Sequence, residues 1–263
     1  MAIHDSLGDR MKEYESRNQY YLQKRTPVCI RIDMRAGHTF TRGFARPFDE
    51  VFGNAMVRTM EYCARNIGNC VFAYCQSDEI TFILVDYAKL ETDAWFNYRT
   101  DKLCSISASM ATFAFNRFFE MEMNVFKASH TIMDTNEWAY PNAGTFYGYY
   151  MLSASKGAMF DARCFNIPKE EVCNLIYWRQ LDATRNSIQM VGQANFSHNE
   201  LQNKTCNMIQ DMLMEQRGIN WNDYETRWKR GVAWTKETGI DYEMPILKGE
   251  NRKYVDDLIY IGE

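Results

Sequence analysis

Apolar residues are spaced in two ways along the first two thirds of the chain, and the two spacings predict different elements. From Asp49 they recur every three or four residues as far as Ile67, which is typical of a helix with one buried face that Asp49 can cap. A similar pattern begins near Leu103, and a shorter one ends before Pro27. Compact apolar runs typical of buried strands lie at residues 28–33, 70–76, 80–85 and 159–165.

The order of these elements predicts an α+β fold. After the first helix the order is β-α-β-β-α-β, which is that of the ferredoxin-like, or split βαβ, unit. In that unit the first and second strands run in the same direction on either side of the third, which is antiparallel to both. Residues 130–155 are rich in Gly, Tyr and Asn and are expected to be irregular. Residues 168–263 are expected to form a mostly helical extension packed on residues 1–167, with a small hairpin between 231–234 and 254–261.

This topology would bring three carboxylates together. Asp33 ends the first strand, and Asp78 and Glu79 lie in the turn before the third strand, whose start neighbours that end. Mg²⁺ prefers oxygen ligands, and two such ions can clamp the attacking and leaving oxygens of a phosphoryl transfer. An acidic pair in a turn is weak evidence on its own, because Asp favours turns for backbone reasons.

The loop after Asp33 is basic and contains two glycines, which suits it to bind a triphosphate closely. An exposed loop without a ligand is the alternative. On the helix after the third strand, Lys102, Ser105 and Ser109 can share a face that either contacts phosphate or is simply solvated. Trp178-Arg179-Gln180 could bind RNA by stacking and hydrogen bonding, or could pack against another helix. The candidate loop residues are Arg35, Gly37, His38, Thr41, Arg42, Gly43 and Arg46.

Composition and charge restrict the classes of protein to which this chain can belong. Hydrophobic residues make up 46% of the 263, which is enough for a packed core. The net charge of −4 means that an RNA partner would need a local basic patch. The 8 cysteines contain no C-x-x-C pair and are expected to be reduced, and no apolar run is long enough to span a bilayer. We therefore expect a cytoplasmic protein without a membrane partner. The 4 histidines are scattered, which argues against a serine-nucleophile enzyme.

The residues around these acids resemble motifs of the tRNA-His guanylyltransferase family. Residues 31–40, RIDMRAGHTF, are similar to the family's RxDGRxFHxF motif, and residues 41–49 to its basic FxKPxD segment. Residues 74–79, YCQSDE, resemble its highly specific Y-x-QSDE motif. The runs FDAR at 160–163 and WRQ at 178–180 also look like family elements in the same order, so the similarity covers roughly residues 6 to 190.

The resemblance implies a polymerase-like palm domain in residues 1–167 and a tRNA-contacting extension in 168–263. It implies two Mg²⁺ ions held by Asp33, Asp78 and the main-chain oxygen of Met34, with Glu79 as a further catalytic residue. It also implies that ATP activates a tRNA 5′-monophosphate, which the 3′-hydroxyl of GTP or another nucleoside triphosphate then attacks. A homotetramer built as a dimer of dimers is expected. Expected nucleotide contacts are Arg35, Gly37, His38, Arg46, Ser77, Lys102 and Ser105, and expected tRNA contacts are Arg163, Arg179 and Arg185.

Three departures from the family pattern refine the expected function. Met34 replaces a Gly, and Gly37 replaces a Phe. The stretch that reads HINNLYN in eukaryotic guanylyltransferases is TRNSIQM here, at residues 184–190. The chain therefore resembles the guanylyltransferase-like branch, whose members repair 5′-truncated tRNAs by template-dependent 3′-to-5′ addition.

Three alternatives to this repair function stay open. One is addition of the G−1 nucleotide to histidine tRNA. Another is a palm-type nucleotide cyclase, which would turn over free nucleotide without RNA. The last is an RNA-binding module whose metal site is unused. The clustered acids argue against this alternative, because neighbouring carboxylates that serve no function would only repel one another.

Overall fold

The computed structural model describes residues 6–131, 139 and 142–261 of the chain. Short 3-10 turns join several of the regular elements. The helices are α1 (Ser6–Ser16), α2 (Gly37–Phe40), α3 (Glu50–Asn66), α4 (Thr100–Ser129), α5 (Ala143–Lys156), α6 (Lys169–Asn195), α7 (His198–Leu201), α8 (Cys206–Arg217), α9 (Thr226–Arg230) and α10 (Lys253–Ile259). The strands are β1 (Val28–Met34), β2 (Cys70–Gln76), β3 (Glu79–Leu84), β4 (Phe160–Asn166), β5 (Val232–Thr235) and β6 (Gly239–Asp241).

The strands of the described residues form one six-stranded sheet in the order β4-β1-β3-β2-β5-β6. Every neighbouring pair is antiparallel. The predicted relation of the first three strands is confirmed, because β1 and β2 flank β3 and both run against it. Asp33 consequently lies opposite Glu79 on β3 and opposite Asp161 on β4.

Several sequence-based expectations about secondary structure are wrong. The segment after Asp33, expected to be a loop, contains the one-turn helix α2, and α1 ends at Ser16, well before Pro27. The segment 130–155 is not irregular throughout, since α5 occupies its second half; residues 132–138, 140 and 141 lie outside the described residues. α5 is helical because it buries Tyr150 and Ser153, and the Ser153 hydroxyl donates to the Phe40 carbonyl at 2.6 Å. The hairpin partner of β5 is β6, whereas most of the predicted second run is α10, which buries Val255 and Ile259 one turn apart.

The C-terminal part of the chain contributes to the sheet as well as to the helices. β5 pairs with β2, so residues after Pro168 supply two strands. The proposed division at residue 167 stays a prediction. In the described residues, no helix combines the length and the apolar character needed to cross a membrane.

The two faces of the sheet are covered by different helices. Ile30, Ile32 and Phe82 belong to the core formed with α3 and α4. Cys29 and Ile83 belong to a second core formed with α6 and α10. Because side chains alternate along a strand, the odd-numbered residues of β1 and β3, which include the two acids at their paired ends, face the α6 side.

Candidate active site

Two carboxylates lie at the end of the sheet where β1 stops and β3 begins. Asp33 is the penultimate residue of β1, and Asp78 lies in the two-residue turn that joins β2 to β3. The turn is tight because Ser77 adopts a left-handed conformation with φ of 50°. The Met34 N–H donates to the Asp78 carbonyl at 3.1 Å, which ties the end of β1 to this turn. The segments that carry the predicted acids therefore meet at this end of the sheet.

The electrostatics of this pair suit a divalent cation. Burial raises the pKa of Asp33, and the neighbouring charges of Asp78 and Asp161 raise it further. Within the described part of the chain, neither Asp33 nor Asp78 accepts a side-chain hydrogen bond or forms an ion pair. Bound Mg²⁺ would remove this repulsion, and it commonly takes one or two carboxylates together with substrate phosphates. Among the described residues no group of three His, Cys, Asp or Glu side chains is placed to hold a metal, so further ligands would be main-chain or substrate oxygens.

Glu79 is held differently from the two aspartates. Arg179 of α6 donates from Nε to one carboxylate oxygen at 2.7 Å and from Nη2 to the other at 3.0 Å. Nη2 also donates to Asp182 at 3.0 Å, and Arg31 Nε lies 3.8 Å from Glu79. Burial raises the pKa of Glu79 even though Arg179 opposes this shift. Both oxygens of Glu79 are thus engaged by the protein, and its predicted catalytic role stays a prediction.

A cleft of about 360 Å³ is lined by Asp78, whereas Asp33 and Glu79 are not among its lining residues. Residues 37–52 and 76–78 form one side, which we call the loop wall. Residues 183–193 of α6 and residues 227–231 form the other side, which we call the helix wall. The loop wall contains five of the predicted site residues, namely Gly37, His38, Arg46, Ser77 and Asp78.

Other predicted nucleotide contacts lie outside the cleft. Arg35 is exposed and its backbone N–H donates to the Met159 carbonyl at 2.8 Å. Lys102 and Ser105 are exposed near the start of α4 and do not line the cleft. Their predicted nucleotide contacts stay a prediction.

The structure accommodates both departures from the family pattern near Asp33, namely Met34 and Gly37. The Met34 side chain is buried in the α3–α4 core, so a side chain larger than Gly is accommodated beneath the sheet. A Cβ atom on Gly37 would lie 2.0 Å from Asp78 Oδ2 and 3.0 Å from its Cγ. Gly37 thus allows the Asp78 carboxyl group to lie directly against the loop backbone.

The helix wall contains residues that the sequence did not single out as contacts. Asn186, Ser187 and Met190 line the cleft, and they lie in the 184–190 stretch that departs from the eukaryotic motif. Trp228 stacks on Phe48 of the loop wall with ring centroids 5.1 Å apart and planes 4° apart. The unusual sequence at residues 184–190 was the feature that could have predicted this wall. No pattern in the sequence around residue 228 predicted its position in the cleft.

The predicted RNA contacts differ in exposure. Arg163 is exposed and lies 3.3 Å from Asp161, and Arg185 is exposed and pairs with Asp182. Arg179 is only 7% exposed and binds Glu79, so little of its guanidinium group can reach RNA.

Comparisons with known proteins show which family this chain belongs to. Residues 8–168 match the model of the tRNA-His guanylyltransferase family. A bacterial tRNA(His) guanylyltransferase (Thg1)-like protein in complex with ATP is similar, with a TM-score of 0.82 and 38% identity, covering 97% of this chain and all of that one. A bacterial Thg1-like protein in complex with GTP has a TM-score of 0.76 and 35% identity, covering 98% of this chain and 100% of that one.

A curated relative from yeast is more distant. The tRNA(His) guanylyltransferase of Saccharomyces cerevisiae is 26% identical over 231 residues, which cover 81% of this chain and 84% of that protein. The family model spans more than half of the chain, and the two bacterial structures align over nearly all of it. The chain belongs to the tRNA-His guanylyltransferase family.

Proposed function

We propose that this chain is a Mg²⁺-dependent nucleotidyltransferase that adds nucleotides to the 5′ end of tRNA in the 3′-to-5′ direction. The observation that carries the proposal is Asp78, which lines a cleft whose loop wall holds glycine and basic residues. The turn that contains Asp78 is tied by a backbone hydrogen bond to the end of β1, where Asp33 lies. The similar bacterial proteins bind ATP and GTP, which supports nucleoside triphosphates as substrates of this chain.

The residues of the loop wall have a direct role in this proposal. His38, Arg46 and Ser77 line the cleft and would bind the triphosphate through charge and hydrogen bonds. Asp33, Asp78 and the main-chain oxygen of Met34 would hold the metal. Mg²⁺, when bound there, neutralises phosphate charge and promotes ionisation of the attacking hydroxyl. Arg179 binds both oxygens of Glu79 and so holds this side chain in place at the start of β3.

We further propose that the reaction is template-dependent repair of 5′-truncated tRNA. The chain is 38% and 35% identical to the bacterial guanylyltransferase-like structures with ATP and with GTP, and 26% identical to the yeast guanylyltransferase. The helix wall supports the same assignment, because Asn186, Ser187 and Met190 occupy the cleft in the stretch that differs from HINNLYN. The alternative, addition of G−1 to histidine tRNA, is favoured by the name of the family and of its yeast member.

The strand order supports a palm-like use of the sheet. β4-β1-β3-β2 is the strand order of a ferredoxin-like unit, and the acids lie at the ends of its two central strands. A tetramer stays a prediction, which sedimentation analysis of the purified chain would test.

The deciding experiment supplies the protein with Mg²⁺, ATP, labelled nucleotides and a tRNA that lacks its first 5′ nucleotide. Extension only by the nucleotide complementary to the opposing acceptor base is the expected result. Intact histidine tRNA is the matched second substrate, and addition of G to it alone would establish the guanylyltransferase alternative. Consumption of nucleotide without any RNA product would overturn the proposal in favour of a cyclase.

A further inference from the structure

α6 exposes a tryptophan near the acidic end of the sheet that the proposed chemistry does not use. Trp178 is 51% exposed, although it is one of the largest apolar side chains. The guanidinium carbon of Arg179 lies 4.6 Å from the centre of its ring, and that of Arg31 lies 5.9 Å away. Two buried or half-buried cations therefore hold the ring in place by cation–π contacts while its remaining surface stays open.

The position of this ring relative to the carboxylates follows from the strands. Arg31 is two residues before Asp33 on the same face of β1, a separation of about 7 Å along the strand. Arg179 in turn binds Glu79, which lies opposite Asp33. Trp178 is thus anchored to two side chains that flank the candidate metal ligands. A planar group stacked on this ring would lie on the α6 side of the sheet, which is the side that Asp33 and Glu79 face.

The surface around Trp178 carries further positive charge. Arg163 lies opposite Arg31 in the β1–β4 register and is exposed, and Arg185 lies about two turns beyond Trp178 on α6 and is also exposed. Their partners are Asp161 and Asp182. Both side chains of the Arg163–Asp161 pair are exposed, and such pairs are worth little, so a phosphate group can replace Asp161 at low cost. Asp182 is half-buried and also binds Arg179, but the exposed Arg185 guanidinium group can contact a phosphate beside it. An open aromatic face with nearby arginines is the arrangement that proteins use for unpaired nucleotides.

We propose that Trp178 is a stacking platform for a base at the acceptor end of the RNA, with Arg163 and Arg185 contacting the adjacent phosphates. The identity of the RNA as a tRNA with an incomplete 5′ end rests on the proposed function. The stacking role goes beyond the proposed function. It means that the surface of α6 outside the cleft holds the RNA strand whose 5′ end is extended in the cleft.

The test compares three variants in tRNA binding without nucleotide. Fluorescence anisotropy of a labelled 5′-truncated tRNA gives the Kd, and ATP binding is measured separately. Trp178→Ala is expected to raise the Kd for tRNA about tenfold, and Trp178→Phe, which keeps an aromatic face, about threefold or less. Leu181→Ala is the matched control, because Leu181 is also 51% exposed and lies one turn away on α6; its Kd should change less than about twofold.

Salt dependence separates stacking from phosphate contact. Trp178→Ala should weaken binding by the same factor at each salt concentration, whereas Arg163→Ala and Arg185→Ala should each lower the slope of log K against log salt by about one unit or less. ATP affinity should be unchanged in Trp178→Ala, which shows that the cleft is intact.

Three outcomes would overturn the stacking role. The first is a tRNA Kd for Trp178→Ala within about twofold of the wild type. The second is an equal loss in Leu181→Ala, and the third is a changed assembly size on sedimentation with unchanged tRNA affinity. Failure of the proposed function is distinguishable, because a wild-type chain that binds tRNA but extends none still allows Trp178 to be scored by binding.

Discussion

The loop wall and the helix wall enclose the same cleft, but they are assembled over very different distances along the chain. The loop wall comes from residues 37–52 and 76–78, and it is positioned by the pairing of β1 with β3 and of β3 with β2. The helix wall comes from α6 and from residues 227–231, more than 100 residues later. The difference separates two tasks: the loop wall supplies charged groups for chemistry, and the helix wall closes and shapes the site.

The largest expected effect is on the loop wall. Asp78→Asn removes one carboxylate of the pair while keeping the size of the side chain, so the rate of nucleotide addition should fall at least about a hundredfold. The fold should be retained, because the Asp78 side chain accepts no hydrogen bond from the described residues. Single-turnover extension assays and circular dichroism measure the two effects. Wild-type rates in both Asp78→Asn and Asp33→Asn would contradict the assignment of the site.

The next largest effect is expected from a substitution that breaks the Arg179–Glu79 ion pair between α6 and the sheet. Arg179→Gln leaves Glu79 buried without its main cation, which should lower the free energy of unfolding by about 3–5 kcal/mol. Urea denaturation measures this loss. Arg179→Lys is the control, and it should recover part of the stability because it restores the charge but not the bidentate geometry.

The pH dependence of this destabilisation has a definite sign. Burial already raises the folded pKa of Glu79 above its ordinary value of 4.5, and removing Arg179 raises it further. An acid with a raised folded pKa favours the folded state when protonated, so stability falls as the pH rises from the unfolded pKa through the folded one. The gap between wild type and Arg179→Gln should therefore be small near pH 4.5 and should widen towards neutral pH. A gap that is constant with pH would contradict this account of Glu79.

A smaller effect is expected where the loop wall joins α3. Asp49 accepts hydrogen bonds from the Phe52 N–H at 2.9 Å, the Ala45 N–H at 2.9 Å and the Tyr150 hydroxyl at 2.7 Å. Asp49→Ala removes the helix cap and leaves a buried hydroxyl unpaired, so it should lower the free energy of unfolding by about 2 kcal/mol. Asp49→Asn keeps an acceptor and should cost less. Equal losses in the two variants on urea denaturation would show that the charge, not the cap, matters.

The smallest effect is expected outside both walls. Lys102 is exposed on α4 and is not among the residues that line the cleft, so Lys102→Ala should change the KM for nucleotide by less than about twofold. Arg46→Ala is the comparison within the loop wall, where loss of a charged contact should raise the KM about tenfold. A larger effect in Lys102→Ala than in Arg46→Ala would restore the original expectation from the resemblance.

Much of the loop wall could be predicted because its determinants are local. Compact apolar runs predicted β1 to β4, the three-and-four spacing after Asp49 predicted α3, and the order of these elements brought Asp33 beside Asp78. The Gly- and Tyr-rich segment before β4 concealed α5, because that helix is stabilised by contacts of Tyr150 and Ser153 with distant residues rather than by a strong apolar period.

The sequence by itself determined the strands, the main helices, the acidic strand ends and the motifs that carry the family resemblance. Only the tertiary structure decided that Arg179 is buried on Glu79, that β5 extends the sheet, and that Trp228 closes the cleft against Phe48. The physical reason is the distance along the chain over which each feature is determined. Strand alternation and helix periodicity are repeated within a few residues, whereas an ion pair or a ring stack between segments more than 100 residues apart depends on how whole elements pack.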